Sequence, residues 1–129
     1  MDCQQLKAVN LPEGLEYIGK YCFAKCSLES VQLSPALKTI EQYVFYRCKN
    51  LKSVSFPAGL EKIELYAFSE SGLESAVFPA SLRTVAPGAF SKCESLKSVT
   101  VKKGLEVIGT DDDRELDGVF QESALKGII

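Results

Sequence analysis

The sequence predicts a solenoid of parallel, in-register turns, each 22–23 residues long. Three observations predict it. A leucine recurs at near-constant spacing, at Leu6, Leu28, Leu51, Leu73 and Leu96, and a partial turn starts at Leu125. The residues after each leucine alternate apolar and polar in the period of a half-buried strand. Two columns of charged residues change sign from one turn to the next. A turn of this length cannot enclose a core alone, so its apolar face must be buried by the turn stacked on it. Residues 1–129 are therefore read as one domain, with Cys3 as the last recognisable position of a still earlier turn.

The first element of each turn is a strand. Three residues beyond the leucines stand Val9, Val31, Val54, Ala76, Val99 and Ile128, and two further come Leu11, Leu33, Phe56, Phe78 and Val101. Residues alternating with this buried pair should face outward. They are Ala8, Asn10, Ser30, Gln32, Ser53, Ser55, Ser75, Val77, Ser98 and Thr100. A turn rich in Pro, Gly, Ala and Ser follows, as in Pro12-Glu13-Gly14 and Pro57-Ala58-Gly59.

The second element carries another apolar pair: Leu15 and Ile18, Leu37 and Ile40, Leu60 and Ile63, Leu82 and Val85, Leu105 and Ile108. Each turn closes on a phenylalanine, at Phe23, Phe45, Phe68, Phe90 and Phe120. Before these stand Cys22, Val44, Ala67, Ala89 and Val119, which are expected on the inside of a tight bend. Tyr21, Tyr43 and Tyr66 form a further column, expected as half-buried packing. With strands about 4.8 Å apart, five and a half turns make a stack roughly 25 Å long.

The charges support the same register. One column reads Lys7, Glu29, Lys52, Glu74, Lys97 and the other Glu16, Lys38, Glu61, Arg83, Glu106. In register each charge lies between opposite charges, an arrangement of about 0.2–1 kcal/mol per pair before solvent screening. A slip of one turn would bring like charges together.

The pattern L-x-x-V-x-L/F-P-x-G-L-x-x-I-x-x-x-A-F-x-x-C, clearest from Leu51 to Phe68 and from Leu73 to Cys93, resembles the BspA-like leucine-rich repeat. The resemblance covers nearly the whole chain. It implies a leucine-rich-repeat solenoid with a concave parallel sheet and a convex side of short strands or helical turns. It also implies adhesion or protein recognition at the surface of bacteria or some protists, and no catalytic residue. A cell-surface or extracellular location is expected from the family alone, because the N-terminus carries no signal-peptide pattern.

Composition narrows the function. The chain has no histidine, which removes the usual general base at neutral pH and every Ser-His or Cys-His nucleophile. No cofactor, metal site or enzymatic activity is expected. A net charge of −2, with neither a glycine-rich phosphate loop nor a basic-aromatic stripe, argues against nucleic-acid and nucleotide binding. No apolar run approaches the roughly 18 residues of a membrane span.

Three features remain as candidate sites. Cys3, Cys26, Cys48 and Cys93 fall in one column with Ser71 and Ser123, and Cys22 lies apart. Neighbours about 5 Å apart could form a disulfide such as Cys3–Cys26 or Cys26–Cys48, but a ladder of reduced thiols is the reading favoured. Between Ile108 and Phe120 seven extra residues are inserted, giving an acidic loop with Asp111, Asp112, Asp113, Glu115 and Asp117. Its start looks like a calcium loop, yet Ala124 stands where the closing bidentate carboxylate belongs, so a tolerated insertion or a functional edge remain alternatives. The third feature is the outward sheet face formed by Ser30, Gln32, Ser53, Ser55, Ser75, Val77, Ser98 and Thr100, a surface for another protein. Val77 on this face and Leu65 elsewhere are the apolar residues expected to be exposed. Open solenoid ends would favour a homo-oligomer, so self-assembly is the alternative to recognition of a host or cell-surface ligand.

Overall fold

The computed structural model describes residues 5–101 together with Val107 and Ile108. Eight short strands occur among them and no helix. The main-face strands are β1 (Ala8–Asn10), β2 (Ser30–Gln32), β5 (Ser75–Phe78) and β7 (Ser98–Val101). The second-face strands are β3 (Thr39–Ile40), β4 (Lys62–Ile63), β6 (Thr84–Val85) and β8 (Val107–Ile108).

All pairing is parallel, and its register is the one the leucine spacing predicts. Val9 lies beside Val31, Ala76 beside Val99 and Phe78 beside Val101. The second sheet is continuous, in the order β3-β4-β6-β8, with Ile40, Ile63, Val85 and Ile108 aligned. The main sheet is not. It consists of β1-β2 and β5-β7, and the intervening turn contributes a single bridge from Gln32 to Ser55. Stacking still continues across that turn, because the Glu74 N–H donates to the Lys52 carbonyl at 2.9 Å.

The core follows the repeat. Leu28, Leu51, Leu73 and Leu96 are buried, as are Leu37, Leu60, Leu82 and the second-sheet Ile40, Ile63 and Val85. Each such side chain contributes about 1.5–3 kcal/mol by leaving water. Phe23, Phe45, Phe68 and Phe90 stack face to face through the core, with centroids 5.7, 5.1 and 5.3 Å apart and planes within 13° of parallel. Phe56 and Phe78 approach this column from the main strands, Phe56 meeting Phe68 edge-on. After each main strand a tight turn closes when Leu15, Leu37, Leu60 and Leu82 donate to the carbonyls of Pro12, Ser34, Pro57 and Pro79 at 3.0–3.1 Å.

The third side of each turn is a compact arc held by backbone bonding in two directions. In the first described turn the N–H groups of Tyr21, Phe23 and Lys25 reach the carbonyls of Gln42, Val44 and Tyr46 in the next turn, at 3.2, 3.0 and 2.7 Å. The alternate groups, on Cys22, Ala24 and Cys26, close local bonds to the third residue back. This alternation places two residues per arc at positive φ: Tyr21 and Lys25, Tyr43 and Arg47, Tyr66 and Glu70, then Gly88 and Lys92. Val44, Ala67 and Ala89 are buried inside the bend as expected, whereas Cys22 is exposed. The solenoid thus extends its inter-turn hydrogen bonding through a segment that has no regular strand.

Candidate recognition surfaces

The main-sheet face has the exposure read from the sequence. Ser30, Gln32, Ser53, Ser55, Ser75 and Val77 are exposed, and Ser98 and Thr100 are half-buried. Val77 is 48% exposed amid hydroxyl and amide side chains. Leu65, expected to be exposed, is half-buried and so is no surface anchor. The acidic loop with Asp111, Asp112, Asp113, Glu115 and Asp117 lies outside the described residues. Among the described residues no group of three or more His, Cys, Asp or Glu side chains gathers in metal-binding geometry.

In the thiol column Cys3, and with it the Cys3–Cys26 pairing, lies outside the described residues, and no disulfide joins Cys26 to Cys48. Cys26, Cys48 and Cys93 are buried, and Cys22 is exposed. The Cys48 Sγ–H donates to the Phe23 carbonyl at 3.0 Å, and the Cys93 Sγ–H to the Phe68 carbonyl at 3.1 Å. Ser71 continues the column, its Oγ 3.5 Å from Cys93 Sγ. These groups tie each arc to the turn before it. Burial pushes the Cys93 thiol above its ordinary range, against the lowering effect of the Ser71 hydrogen bonds. Protonation suits a donor whose acceptor is a carbonyl.

The charge columns are stacked by the backbone, as in the bonds from Glu29 to Lys7, Glu74 to Lys52 and Arg83 to Glu61. An ion pair forms in a different column, between Arg47 Nε and Glu70 Oε1 at 3.3 Å on the outer arc. With the Arg47 side chain 44% exposed, this pair contributes little to stability.

The tyrosine column is more open than packing alone requires. Tyr21 and Tyr43 stack at 4.6 Å with planes 6° apart, and Tyr43 and Tyr66 at 5.3 Å with planes 20° apart. Tyr43 is half-buried, but Tyr21 is 52% and Tyr66 38% exposed. Tyr46 meets Tyr43 edge-on and lies under the Arg47 guanidinium, 5.4 Å from its ring centroid. Tyr17, 63% exposed, precedes the stack in the same turn as Tyr21. Burial, then repulsion from Tyr21 and Tyr66, raises the Tyr43 hydroxyl pKa; burial, then a hydrogen bond to Glu70, raises that of Tyr46. Both therefore remain neutral donors at physiological pH. The sequence shows the tyrosine spacing, but exposure depends on which way the arc turns each ring.

Six copies of the BspA type leucine rich repeat region match residues 1–112. The chain belongs to the BspA-type leucine-rich-repeat family. Similar solved structures share its solenoid fold. A Treponema pallidum leucine-rich-repeat protein is 21% identical with a TM-score of 0.72, over 98% of this chain and 79% of that one. A leucine-rich cell surface protein from Faecalibacterium prausnitzii is 26% identical with a TM-score of 0.70, over 98% of this chain. A leucine-rich-repeat protein from Bacteroides ovatus is 24% identical with a TM-score of 0.66, over 95% of this chain. This leucine-rich-repeat chain spans 37% of the Bacteroides protein's length and 31% of the Faecalibacterium protein's. No curated protein matches its sequence significantly.

Proposed function

We propose that this leucine-rich-repeat chain is a non-enzymatic recognition module of a surface-type protein, and that its anchor for a protein partner is the tyrosine corner. The observation that carries this reading is the stack of Tyr21, Tyr43 and Tyr66 across three successive arcs, with Tyr46 edge-on to Tyr43 and under Arg47, and Tyr17 exposed in the same turn as Tyr21. Tyrosine and arginine are enriched among the residues that dominate interface energetics: tyrosine brings a large apolar surface and a polar tip at small entropic cost, and arginine a planar, multiply donating cation. Stacking locks the rings before any partner arrives, which lowers the ordering cost of association. The similarity to a leucine-rich cell surface protein supports placing that role at a cell surface.

Val77 supports a second reading, in which the main sheet carries the contact through its small residues, with Val77 as the apolar centre. Binding to immobilised extracellular-matrix and cell-surface proteins separates the two. Tyr17→Ser/Tyr21→Ser alters exposed rings only and is expected to weaken binding by about tenfold or more, while Ser53→Glu/Ser75→Glu leaves it unchanged. Loss in the sheet variant alone would transfer the role to the sheet. No binding by the unaltered chain to any of the panel would sink the adhesive reading.

A further inference from the structure

We infer that Tyr21 and Tyr43 form an oxidative coupling site. A peroxide-driven one-electron oxidant joins the two rings through an ortho carbon of each and staples one turn of the solenoid to the next. The pair already has the arrangement that such coupling needs, with rings face to face, centroids 4.6 Å apart and planes 6° from parallel. The site needs the stack alone and does not rest on a partner binding there.

The backbone imposes this arrangement. Tyr21 and Tyr43 occupy the same position in successive arcs, and both sit at positive φ, 63° and 61°. The Tyr21 N–H donates to the Gln42 carbonyl at 3.2 Å, so the residue before Tyr43 is held against Tyr21. Two residues of the same backbone conformation, one turn apart, send their side chains the same way. Burial first and the Tyr21 hydroxyl second raise the Tyr43 pKa, which places the two hydroxyls near each other. Stacking by itself does not call for hydroxyls on these rings. The phenylalanine column stacks through the core without them.

A phenol, unlike a phenyl ring, gives up an electron and a proton to become a phenoxyl radical. One hydrogen peroxide, acting through a haem peroxidase, removes one electron and one proton from each hydroxyl and is itself reduced to two waters. The two radicals carry spin at the carbons ortho to oxygen, and their unpaired electrons form one C–C bond. Each joined carbon then releases its proton as each oxygen takes one up, which restores both aromatic rings and both hydroxyls. The linked chain is lighter by two hydrogen atoms.

Geometry rather than exposure selects the pair. Tyr17 is the most exposed tyrosine, yet it stacks on no other ring among the described residues. Tyr46 meets Tyr43 edge-on at 85°, which turns its ring carbons out of overlap. Tyr43 and Tyr66 stack less closely, at 5.3 Å with planes 20° apart. Tyr21 is about half exposed, so the oxidant reaches the stack there. Holding the two radicals together favours a link within one chain over a link between chains.

Treatment of the full chain with a haem peroxidase and limiting hydrogen peroxide, followed by tryptic peptide mass spectrometry, tests the site. Cleavage at Lys20, Lys25, Lys38 and Arg47 puts Tyr17, Tyr21 and Tyr43 in different peptides. The expected product is a monomer in which residues 21–25 are joined to residues 39–47, and it is retained in Tyr17→Phe and in Tyr46→Phe. Tyr21→Phe keeps the ring but removes the phenol, and it should lower the yield at least about tenfold, as should unfolding in urea before treatment. The link constrains the unfolded chain across 22 residues, so the linked monomer should unfold at a higher denaturant concentration than the unlinked one. The site is overturned by no link within the chain under conditions that couple free N-acetyltyrosine, or by one made chiefly by Tyr17 or chiefly between chains. A yield undiminished in Tyr21→Phe or in urea also overturns it, and an unchanged unfolding midpoint overturns the staple.

Discussion

At the scale of single residues, cysteine has two different environments in this chain. Cys26, Cys48 and Cys93 sit in the core, and the thiols of Cys48 and Cys93 donate to phenylalanine carbonyls one turn earlier. Cys22 shares an arc with Cys26 yet faces solvent. Reactivity follows the thiolate fraction and access. Native alkylation at neutral pH is expected to modify Cys22 quickly and leave Cys26, Cys48 and Cys93 protected until denaturant is added. Peptide mass spectrometry after timed labelling checks this, and fast labelling of Cys93 in the folded chain would contradict the ladder. The raised Cys93 pKa also has a sign. The unfolded thiol loses its proton first, so stability falls as pH rises above the ordinary thiol value of 9.0.

The arc is the element that distinguishes this solenoid from a plain stack of strands. Among the described residues seven non-glycine residues there adopt positive φ, each at a cost of about 1 kcal/mol or more. The inter-turn bonds made by alternate N–H groups offset that cost, because a buried amide left unbonded would be comparably unfavourable. Gly88 ends the tyrosine column for a steric reason. Its φ is +75°, and a Cβ there would run into the Tyr66 ring. Gly72 answers a different constraint, since a Cβ at that position would meet the Lys49 carbonyl. Gly88→Ala is therefore expected to destabilise the chain by about 1–3 kcal/mol and to displace Tyr66. Chemical denaturation measures the first effect and tyrosine ring NMR shifts the second; unchanged stability with an unmoved ring would refute the contact.

For the whole molecule, order and stability pass between neighbouring turns. Every strand pair joins adjacent turns, and the phenylalanine column runs from one turn to the next without a break from Phe23 to Phe90. In such an assembly stability is a sum of turn and interface contributions, so a central lesion uncouples the two sides. Phe68 contacts Phe45, Phe90 and Phe56. Phe68→Ala should cost about 3–5 kcal/mol and broaden thermal unfolding, with hydrogen exchange rising first in the turns beside it. A sharp transition with uniform exchange would mean that cooperativity is global rather than local.

The repeat was legible in the chain because stacking imposes a one-dimensional rule: each buried position must be apolar in every turn. Leucine spacing, strand alternation and the alternating charge columns therefore determine the register, which pairs Val9 with Val31 and Ile40 with Ile63. The outward direction of the Ser30, Ser53 and Ser75 column follows from the same two-residue period. Tertiary structure alone decides what happens in the arc, where alternating backbone conformations remove any simple period. There it turns Tyr21 and Tyr66 outward, lays Tyr21 over Tyr43, gives Arg47 to Glu70 and exposes Cys22. Those side chains meet across turns some 22 residues apart, and their directions are set by φ and packing, which residue spacing does not encode.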